Sequence, residues 1–184
     1  MLNGIRCVEI EVNGFCNRKC LWCPNYRLKR DKPVEMPEET YLKILCELKD
    51  NNFQGTISYS RYNEPMADMM LLKKRLKQAK GILPGIRLVS NTNGDFFNEG
   101  NLKDLLLDEL SIMDYDCIGL KKCIDRLNKV NSKIDRIEYP FIYARHENIS
   151  ILYFVDWPVN ALLVDRGGFL NSDMMETYYL VIHC

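Results

Sequence analysis

The stretch IRCVEIEVNGFCNRKCLWCP, from Ile5 to Pro24, determines both the fold class and the candidate site. Its first part, Ile5 to Val12, is rich in strand-forming residues and ends at an Asn-Gly turn signal. Its second part contains three cysteines, Cys16, Cys20 and Cys23. The cysteines are therefore predicted to lie in a loop at the carboxyl end of a first strand.

The spacing of the three cysteines lets their thiolates converge on one metal centre from a single loop. Three thiolates are an incomplete set for a closed site, because structural zinc and electron-transfer clusters normally take four protein ligands. A cubane cluster held by three cysteines leaves one iron open for another molecule. Two alternatives stay open: a structural zinc site that takes Cys7 or Cys46 as fourth ligand, and a disulfide network.

The composition is that of a soluble globular domain, with 184 residues, 47% of them hydrophobic and 27% charged. Lys plus Arg and Asp plus Glu are each 25, so no net field favours nucleic acid or an anionic membrane as a partner. No apolar run reaches the length of a transmembrane helix, and no signal segment precedes the first strand. We therefore expect a cytoplasmic protein with reduced thiols.

Strand-like and helix-like segments alternate along the chain. The predicted strands are Ile5–Val12, Gly55–Arg61, Ile86–Ser90, Ser111–Tyr115, Ile137–Arg145 and Ile149–Val155, and the predicted helices are Glu38–Asn51, Met69–Ala79, Asn101–Glu109 and Gly119–Val130. This alternation predicts a parallel sheet with helices outside. The last two strands are joined too closely for a crossover helix and are expected to pair antiparallel, with Pro140 at an edge or a bulge.

Polar loops follow the second and third predicted strands, as the cysteine loop follows the first. They are Tyr62-Asn63-Glu64-Pro65 and Asn91-Thr92-Asn93-Gly94. Each could also be an ordinary turn. Since the carboxyl ends of parallel strands share one rim, the fold class is predicted to be α/β, with the sheet curled into a partial (β/α) barrel, an incomplete TIM barrel. An irregular, β-containing segment is expected to end the chain.

Three further side chains are expected to be structural. Arg75 is assigned to the solvated face of the second helix, together with its lysines. Cys117 and Cys123 are expected to be small buried hydrophobes beside the fourth helix.

The cysteine motif, with Trp22 before its last cysteine, resembles the signature of the radical S-adenosylmethionine (radical SAM) enzymes. The resemblance covers Ile5 to about Val130. It implies that Cys16, Cys20 and Cys23 hold a 4Fe-4S cluster whose open iron binds the amino and carboxylate groups of S-adenosylmethionine. One electron from the cluster would cleave this cofactor to a 5'-deoxyadenosyl radical, which abstracts hydrogen from the substrate.

The resemblance also implies a set of cofactor-binding residues. The loop before the second helix is similar to the family's Gly-Gly-Glu-Pro loop, although Tyr62 and Asn63 replace both of its glycines. The residues implied are Trp22 against the adenine, Asn63, Glu64 and Pro65 at the ammonium group, and Asn91 and Asn93 near the cofactor. The sequence assigns no catalytic residue. The segment Asp114–Cys117 is expected at the same rim.

The segment Asp165–Leu170 resembles the linker that leads into the SPASM extension of many radical SAM enzymes. Residues 1–155 are accordingly expected to form the core, and residues 156–184 a linker toward a missing or truncated extension. The likeness implies a peptide or protein substrate, and an electron donor such as flavodoxin or ferredoxin. The rival interpretation is a non-catalytic domain, either a structural zinc domain or an inactive radical SAM fragment.

Overall fold

The computed structural model describes residues 4–20, 23, 25, 34–160 and 178–182. The strands are β1 (Ile5–Ile10), β2 (Thr56–Ser58), β3 (Arg87–Thr92), β4 (Glu109–Met113), β5 (Lys133–Glu138), β6 (Phe141–His146), β7 (Ile149–Phe154) and β8 (Tyr178–Ile182). The helices are α1 (Glu38–Asp50), α2 (Met69–Ile82), α3 (Glu99–Leu102), α4 (Leu120–Lys129) and α5 (Trp157–Asn160), with a 3-10 turn at Pro65–Ala67.

In the described residues the strands form one mixed sheet in the order β5-β6-β7-β4-β3-β2-β1-β8. In this order, every neighbouring pair from β7 through β4, β3, β2 and β1 to β8 is parallel. Strand β6 pairs antiparallel with both β5 and β7. The α/β class and the predicted parallel order of the first four strands are confirmed. A strand from residues 178–182, in the predicted carboxyl-terminal segment, lies beside β1.

The hydrophobic core lies between the sheet and helices α1, α2 and α4. Along β1, Val8 and Ile10 are fully buried, and they alternate with the half-buried Cys7 and Glu9. Parallel register aligns Glu9 with Ser58 on the next strand, so the opposite face of the sheet carries polar groups. The apolar face of the sheet thus packs into the core. The polar loops at the carboxyl ends of the strands are not part of this core and can form a site.

The predicted third helix is wrong over most of its length. Only Glu99–Leu102 is helical, and the chain then runs as a loop into β4, which begins at Glu109. The backbone of Asp104 adopts a left-handed conformation with φ of 56°, which a helix cannot continue through. Leu102 and Leu105 are both buried and lie three residues apart, a spacing that also occurs on one face of a helix.

The predicted strand Ile137–Arg145 is two strands. The chain turns at Tyr139-Pro140 between β5 and β6, and these two strands pair antiparallel. Pro140 therefore lies in a hairpin turn, where its missing N–H costs no ladder hydrogen bond. The antiparallel pairing expected with the last strand is confirmed between β6 and β7.

Arg75 was expected on the solvated face of α2, and this is wrong, because its side chain is 0% exposed. Its Nη2 donates at 3.0 Å both to the carboxylate of Glu35 and to the carbonyl of Met36. The guanidinium also lies 5.1 Å from the ring centre of Tyr41. A buried cation is tolerated when it is paired and hydrogen-bonded, and here it fixes the chain that leads into α1.

None of the helices in the described part of the chain combines the length and the apolarity that a membrane crossing requires.

Candidate active site

The cysteine loop leaves the sheet from an anchored base. The Gly14 N–H donates to the carbonyl of Val34 at 2.8 Å, and the Met36 N–H donates to the carbonyl of Val12 at 2.9 Å. Segment 12–14 is thus paired with segment 34–36, which Arg75 holds against α2. The loop therefore starts and returns at a fixed place at the carboxyl end of β1.

The three cysteine side chains are half-buried in this loop. Burial raises the pKa of Cys16 to about 11, a backbone hydrogen bond from Arg18 opposes this rise, and the thiols of Cys20 and Cys23 add to it. Burial also raises the pKa of Cys20, and the neighbouring Cys23 adds to that rise. The thiols are thus close enough to affect one another. Because metals bind thiolates, metal binding here must release protons.

The chemistry of the donor set, three thiols in one loop, fits both an iron-sulfur cluster and a zinc ion. Among the described side chains, no group of three or more His, Cys, Asp or Glu lies in an arrangement that could hold a metal ion. A zinc ion would bring its sulfur ligands to about 3.8 Å from one another, given Zn–S bonds of about 2.3 Å and tetrahedral angles. In a cubane cluster each thiolate binds a different iron, so the sulfur ligands lie further apart than around one zinc ion. Cys46, a possible fourth zinc ligand, is exposed on α1.

Two buried amide atoms close to the loop have no hydrogen-bond partner among the described residues. They are Nδ2 of Asn13 and Oδ1 of Asn25. An unpaired buried amide atom is costly, so these positions favour a polar ligand. The other end of the Asn25 amide donates to the carbonyl of Tyr62, which brings Asn25 to the loop after β2.

The loop after β2 lies directly against the cysteine loop. The Tyr62 N–H donates to the fully buried carboxylate of Glu11 at 2.5 Å. The Glu64 N–H donates to the carbonyl of Phe15 at 2.7 Å, one residue before Cys16. Glu11 was not predicted as a site residue, although an acidic residue at the carboxyl end of the predicted first strand was a visible signal.

The Glu64 carboxylate connects the loops after β2 and β3. It is 2% exposed, and its Oε1 accepts from the Thr92 hydroxyl at 2.7 Å and from the Met66 N–H at 3.1 Å. Its Oε2 accepts from the Asn93 N–H at 2.8 Å. Burial raises the pKa of Glu64 although these donors oppose the rise. Glu64 therefore fixes the geometry of two loops with its own side chain.

The other cofactor-binding residues implied by the resemblance differ in their contacts and in their burial. The Asn63 side chain turns back on its own loop, accepting from the Arg61 N–H at 3.2 Å and donating to the Tyr59 carbonyl at 3.3 Å. Pro65 is buried at the start of the 3-10 turn. Asn91 lies exposed within β3. Trp22 lies outside the described residues.

Asn93 reaches the cysteine loop, since its Nδ2 donates to the Asn17 side chain at 2.8 Å. The structure therefore brings Cys16, Cys20 and Cys23 together with Glu64 and Asn93.

Arg18, between the first two cysteines, extends this contact to two further loops. Its Nε donates to Asp95 at 2.7 Å, its Nη2 also contacts Asp95, and Nη1 and Nη2 donate to Asp116 at 3.0 and 2.8 Å. Asn17 donates to Asp95 at 2.6 Å. None of Asn17, Arg18 and Asp95 was predicted from the sequence as a site residue. The available signal was an arginine inside the cysteine motif.

Asp114, at the end of β4, is a structural acceptor in this rim. Its Oδ2 accepts from the Ile118 N–H at 3.0 Å, from the Asp156 N–H at 3.1 Å and from the Cys123 thiol at 3.8 Å. Cys123 is buried, as expected, and burial raises its pKa to about 12. Cys117 is exposed, so its predicted burial is wrong.

A family model described as the Radical SAM superfamily matches residues 10–119, which run from the end of β1 to the start of α4. The chain belongs to the radical SAM superfamily. The match includes the cysteine loop, Glu64, Asn93 and the three residues that form the Arg18 contact.

Two curated proteins are similar to this radical SAM chain. It is 38% identical over 112 residues to the S-adenosyl-L-methionine-dependent 2-deoxy-scyllo-inosamine dehydrogenase of Niallia circulans, covering 59% of this chain and 42% of that protein. It is 26% identical over 175 residues to an uncharacterized protein of Methanocaldococcus jannaschii, covering 91% of this chain and 56% of that protein. The chain thus spans about half the length of these relatives.

Solved structures of BtrN share the fold. BtrN in complex with AdoMet and 2-DOIA superimposes with a TM-score of 0.70 at 24% identity, covering 97% of this chain and 70% of BtrN. Selenomethionine BtrN in an open conformation gives a TM-score of 0.55 at 29% identity, covering 66% of this chain and 55% of BtrN. The first likeness concerns the fold alone.

Proposed function

We propose that the chain is the core of a radical SAM enzyme, in which Cys16, Cys20 and Cys23 hold a 4Fe-4S cluster with one iron open to S-adenosylmethionine. The observation that carries this proposal is the anchored three-cysteine loop, packed against the loops of Glu64 and Asn93 at one rim of the sheet. When bound, the cluster and cofactor supply a one-electron reductive cleavage that starts hydrogen abstraction from a substrate.

The polar residues at the rim have different proposed roles toward the cofactor. Glu64 uses both carboxylate oxygens on protein donors, so it acts by holding the loop of Asn63 and Pro65 in place. The unpaired Oδ1 of Asn25 is an additional acceptor beside that loop. Asn91, Asn93 and Trp22 remain the proposed contacts for the rest of the cofactor.

A partial barrel and a division of the chain into core and linker are part of the same proposal. Strands β1 to β4 follow one another in parallel, which supports a sheet that curls into a partial barrel around the site. Residues 1–155 are proposed as the core and residues 156–184 as a linker toward a SPASM-like extension, with β8 returning the linker to the edge of the sheet.

Two substrate classes are proposed, and different observations favour them. The name of the Niallia circulans relative favours dehydrogenation of a small hydroxylated molecule. The resemblance of residues 165–170 to a SPASM linker favours a peptide or protein. A flavodoxin or ferredoxin in the cytoplasm is proposed as the electron donor.

Anaerobic reconstitution with iron and sulfide tests the cluster. We expect about four irons per chain, the content of one cubane. Dithionite and S-adenosylmethionine should then release 5'-deoxyadenosine, and the correct substrate class should increase its rate of formation. Stoichiometric zinc without cofactor cleavage would contradict the enzyme and support the non-catalytic domain.

A pair of cysteine variants tests the ligand assignment. Cys20→Ala should abolish iron uptake, because it removes one of the three thiolates. Cys46→Ala is the matched control, because Cys46 is exposed on α1 and its loss should leave iron content unchanged. Equal loss in both variants would instead favour a site that includes Cys46, as the zinc alternative requires.

A further inference from the structure

The contact of Arg18 with Asp95 and Asp116 joins three loops through one side chain. Arg18 lies in the cysteine loop, Asp95 follows β3, and Asp116 follows β4. The guanidinium donates to both carboxylates, through Nε and Nη2 to Asp95 and through Nη1 and Nη2 to Asp116. Arginine is suited to such paired recognition, since its planar fork presents several donors in fixed directions.

The contact lies within the cysteine loop itself. Arg18 stands two residues after Cys16 and two before Cys20, and its neighbour Asn17 donates to the same Asp95 carboxylate at 2.6 Å. The positive guanidinium and the two carboxylates are therefore tied to the segment that carries the first two cysteines.

We propose that Arg18 is a positioning residue for the cluster, which anchors the cysteine loop to the ends of β3 and β4 and sets the charge beside the bound group. This inference rests on the proposed function, because it assigns Arg18 a role toward the same cluster. Residues that orient or hydrogen-bond metal ligands typically change metal affinity about 10- to 100-fold when they are replaced.

The charges of the three side chains predict the direction in which each substitution shifts the reduction potential of the cluster. Arg18 carries one positive charge against the two negative charges of Asp95 and Asp116. Reduction adds an electron to the cluster, and nearby negative charge opposes it. Arg18→Ala should therefore shift the reduction potential to more negative values, whereas Asp116→Asn should shift it to more positive values.

Because the contact is partly exposed to water, its loss should affect the position of the cysteine loop more than the stability of the fold. The side chains of Arg18, Asp95 and Asp116 are 17%, 31% and 51% exposed, so water can replace much of what the ion pairs supply. We therefore expect the apo chain to fold without Arg18. The main effect should fall on the position of the loop and on the bound cluster.

The test compares Arg18→Ala, Arg18→Lys and Asp116→Asn with wild type, and Arg87→Ala serves as the matched control. Arg87 also pairs with a partly exposed carboxylate, that of Glu109, but it lies at the start of β3, away from the rim. Three quantities are measured: the rate of iron loss to a chelator, the reduction potential by a titration followed by electron paramagnetic resonance, and the alkylation rate of each cysteine in the apo chain.

Arg18→Ala should lose iron about tenfold faster than wild type. Arg18→Lys should restore only part of the retention, because an ammonium group cannot make paired contacts to two carboxylates. In the apo chain, Arg18→Ala should raise the alkylation rate of Cys16 and Cys20 about fivefold, the factor for about 1 kcal/mol of lost anchoring. Cys46, which is exposed on α1 and away from the contact, provides the internal reference.

The inference is overturned if Arg18→Ala retains iron as wild type does, or if the potential moves in the same direction in Arg18→Ala and Asp116→Asn. Loss of the apo fold in both Arg18→Ala and Arg18→Lys would also overturn it, because Arg18 would then be needed for folding. A wild-type chain that binds no iron contradicts the proposed function instead. In that case the alkylation rates still decide whether Arg18 anchors the loop.

Discussion

Two polar links hold the loops at the rim of the sheet, and they differ in burial and in charge. The buried link is the Glu64 carboxylate, which is 2% exposed and accepts only from neutral donors. The exposed link is Arg18 with Asp95 and Asp116, in which every partner is charged and reached by water. The first joins the loops after β2 and β3, and the second joins the cysteine loop to those after β3 and β4.

Burial and charge determine what each link contributes to the protein. A buried acceptor cannot be replaced by water, so its removal leaves donors unpaired in the core, which costs about 1–3 kcal/mol for each group. An exposed ion pair adds about 0–1 kcal/mol to stability, because water and salt compete with it. The buried link should therefore matter mainly for folding, and the exposed link mainly for the placement of the cysteine loop.

The largest expected effect on stability is that of Glu64→Ala. It leaves the Thr92 hydroxyl and the N–H groups of Met66 and Asn93 without their acceptor. We expect the free energy of unfolding of the apo chain to fall by about 3 kcal/mol or more, measured by urea denaturation. Glu47→Ala, at an exposed position on α1, is the control and should change it by less than about 0.5 kcal/mol.

A fall below about 1 kcal/mol in Glu64→Ala would contradict the comparison, because the buried link would then be no stronger than the exposed one.

The pH dependence of the buried link follows from the raised pKa of Glu64. Burial raises that pKa above its ordinary value of 4.5, and the charge of Asp95 contributes to the rise. Folding thus favours the protonated carboxyl, and this stabilisation is complete below 4.5 and is lost as the pH rises through the raised pKa. The stability of wild type relative to Glu64→Gln, which cannot titrate, should therefore decrease from acidic to neutral pH.

Urea denaturation of both proteins across this range gives the difference directly. An increase of the difference with pH would mean that the hydrogen bonds outweigh burial and that the carboxylate is the favoured form.

Gly94 connects the two links, and Gly94→Ala should affect both. It lies between Asn93, which donates to Glu64, and Asp95, which pairs with Arg18. Its φ is 80°, and a Cβ would come within 3.1 Å of the Ile112 side chain. We expect about 1–2 kcal/mol of destabilisation by denaturation. Gly85→Ala is the control, since it shares the positive φ but has open space around a Cβ. Equal effects in both variants would assign the cost to the backbone alone.

Local patterns in the sequence predicted much of the fold and part of the site. The apolar spacing of α1 and α2 and the cysteine spacing depend on residues close together in the chain. The Arg18 contact could not be predicted in this way, because it joins residues 77 and 98 positions apart. Many exposed charges are compatible with such a pairing, and only the fold selects Asp95 and Asp116.

The wrong predictions have related physical causes. From the helical pattern, a charged residue such as Arg75 is predicted to face solvent. Its buried guanidinium instead donates to the Met36 carbonyl and the Glu35 carboxylate. The three-residue spacing of the buried Leu102 and Leu105 is compatible with a helix, but the left-handed backbone of Asp104 prevents one. In both cases a tertiary contact or a single backbone angle outweighs local propensity.

The smallest expected effect, the salt dependence of Arg18→Ala in the apo chain, separates the two links most directly. Near 0.1 M salt the variant should lose about 1 kcal/mol or less relative to wild type. The Debye length falls from about 10 Å at 0.1 M to about 3 Å at 1 M, so the loss should shrink toward zero at high salt. The Glu64→Ala loss should stay constant, because its donors are neutral and buried. A salt-independent Arg18→Ala loss above about 2 kcal/mol would place Arg18 among the folding contacts and remove the distinction between the links.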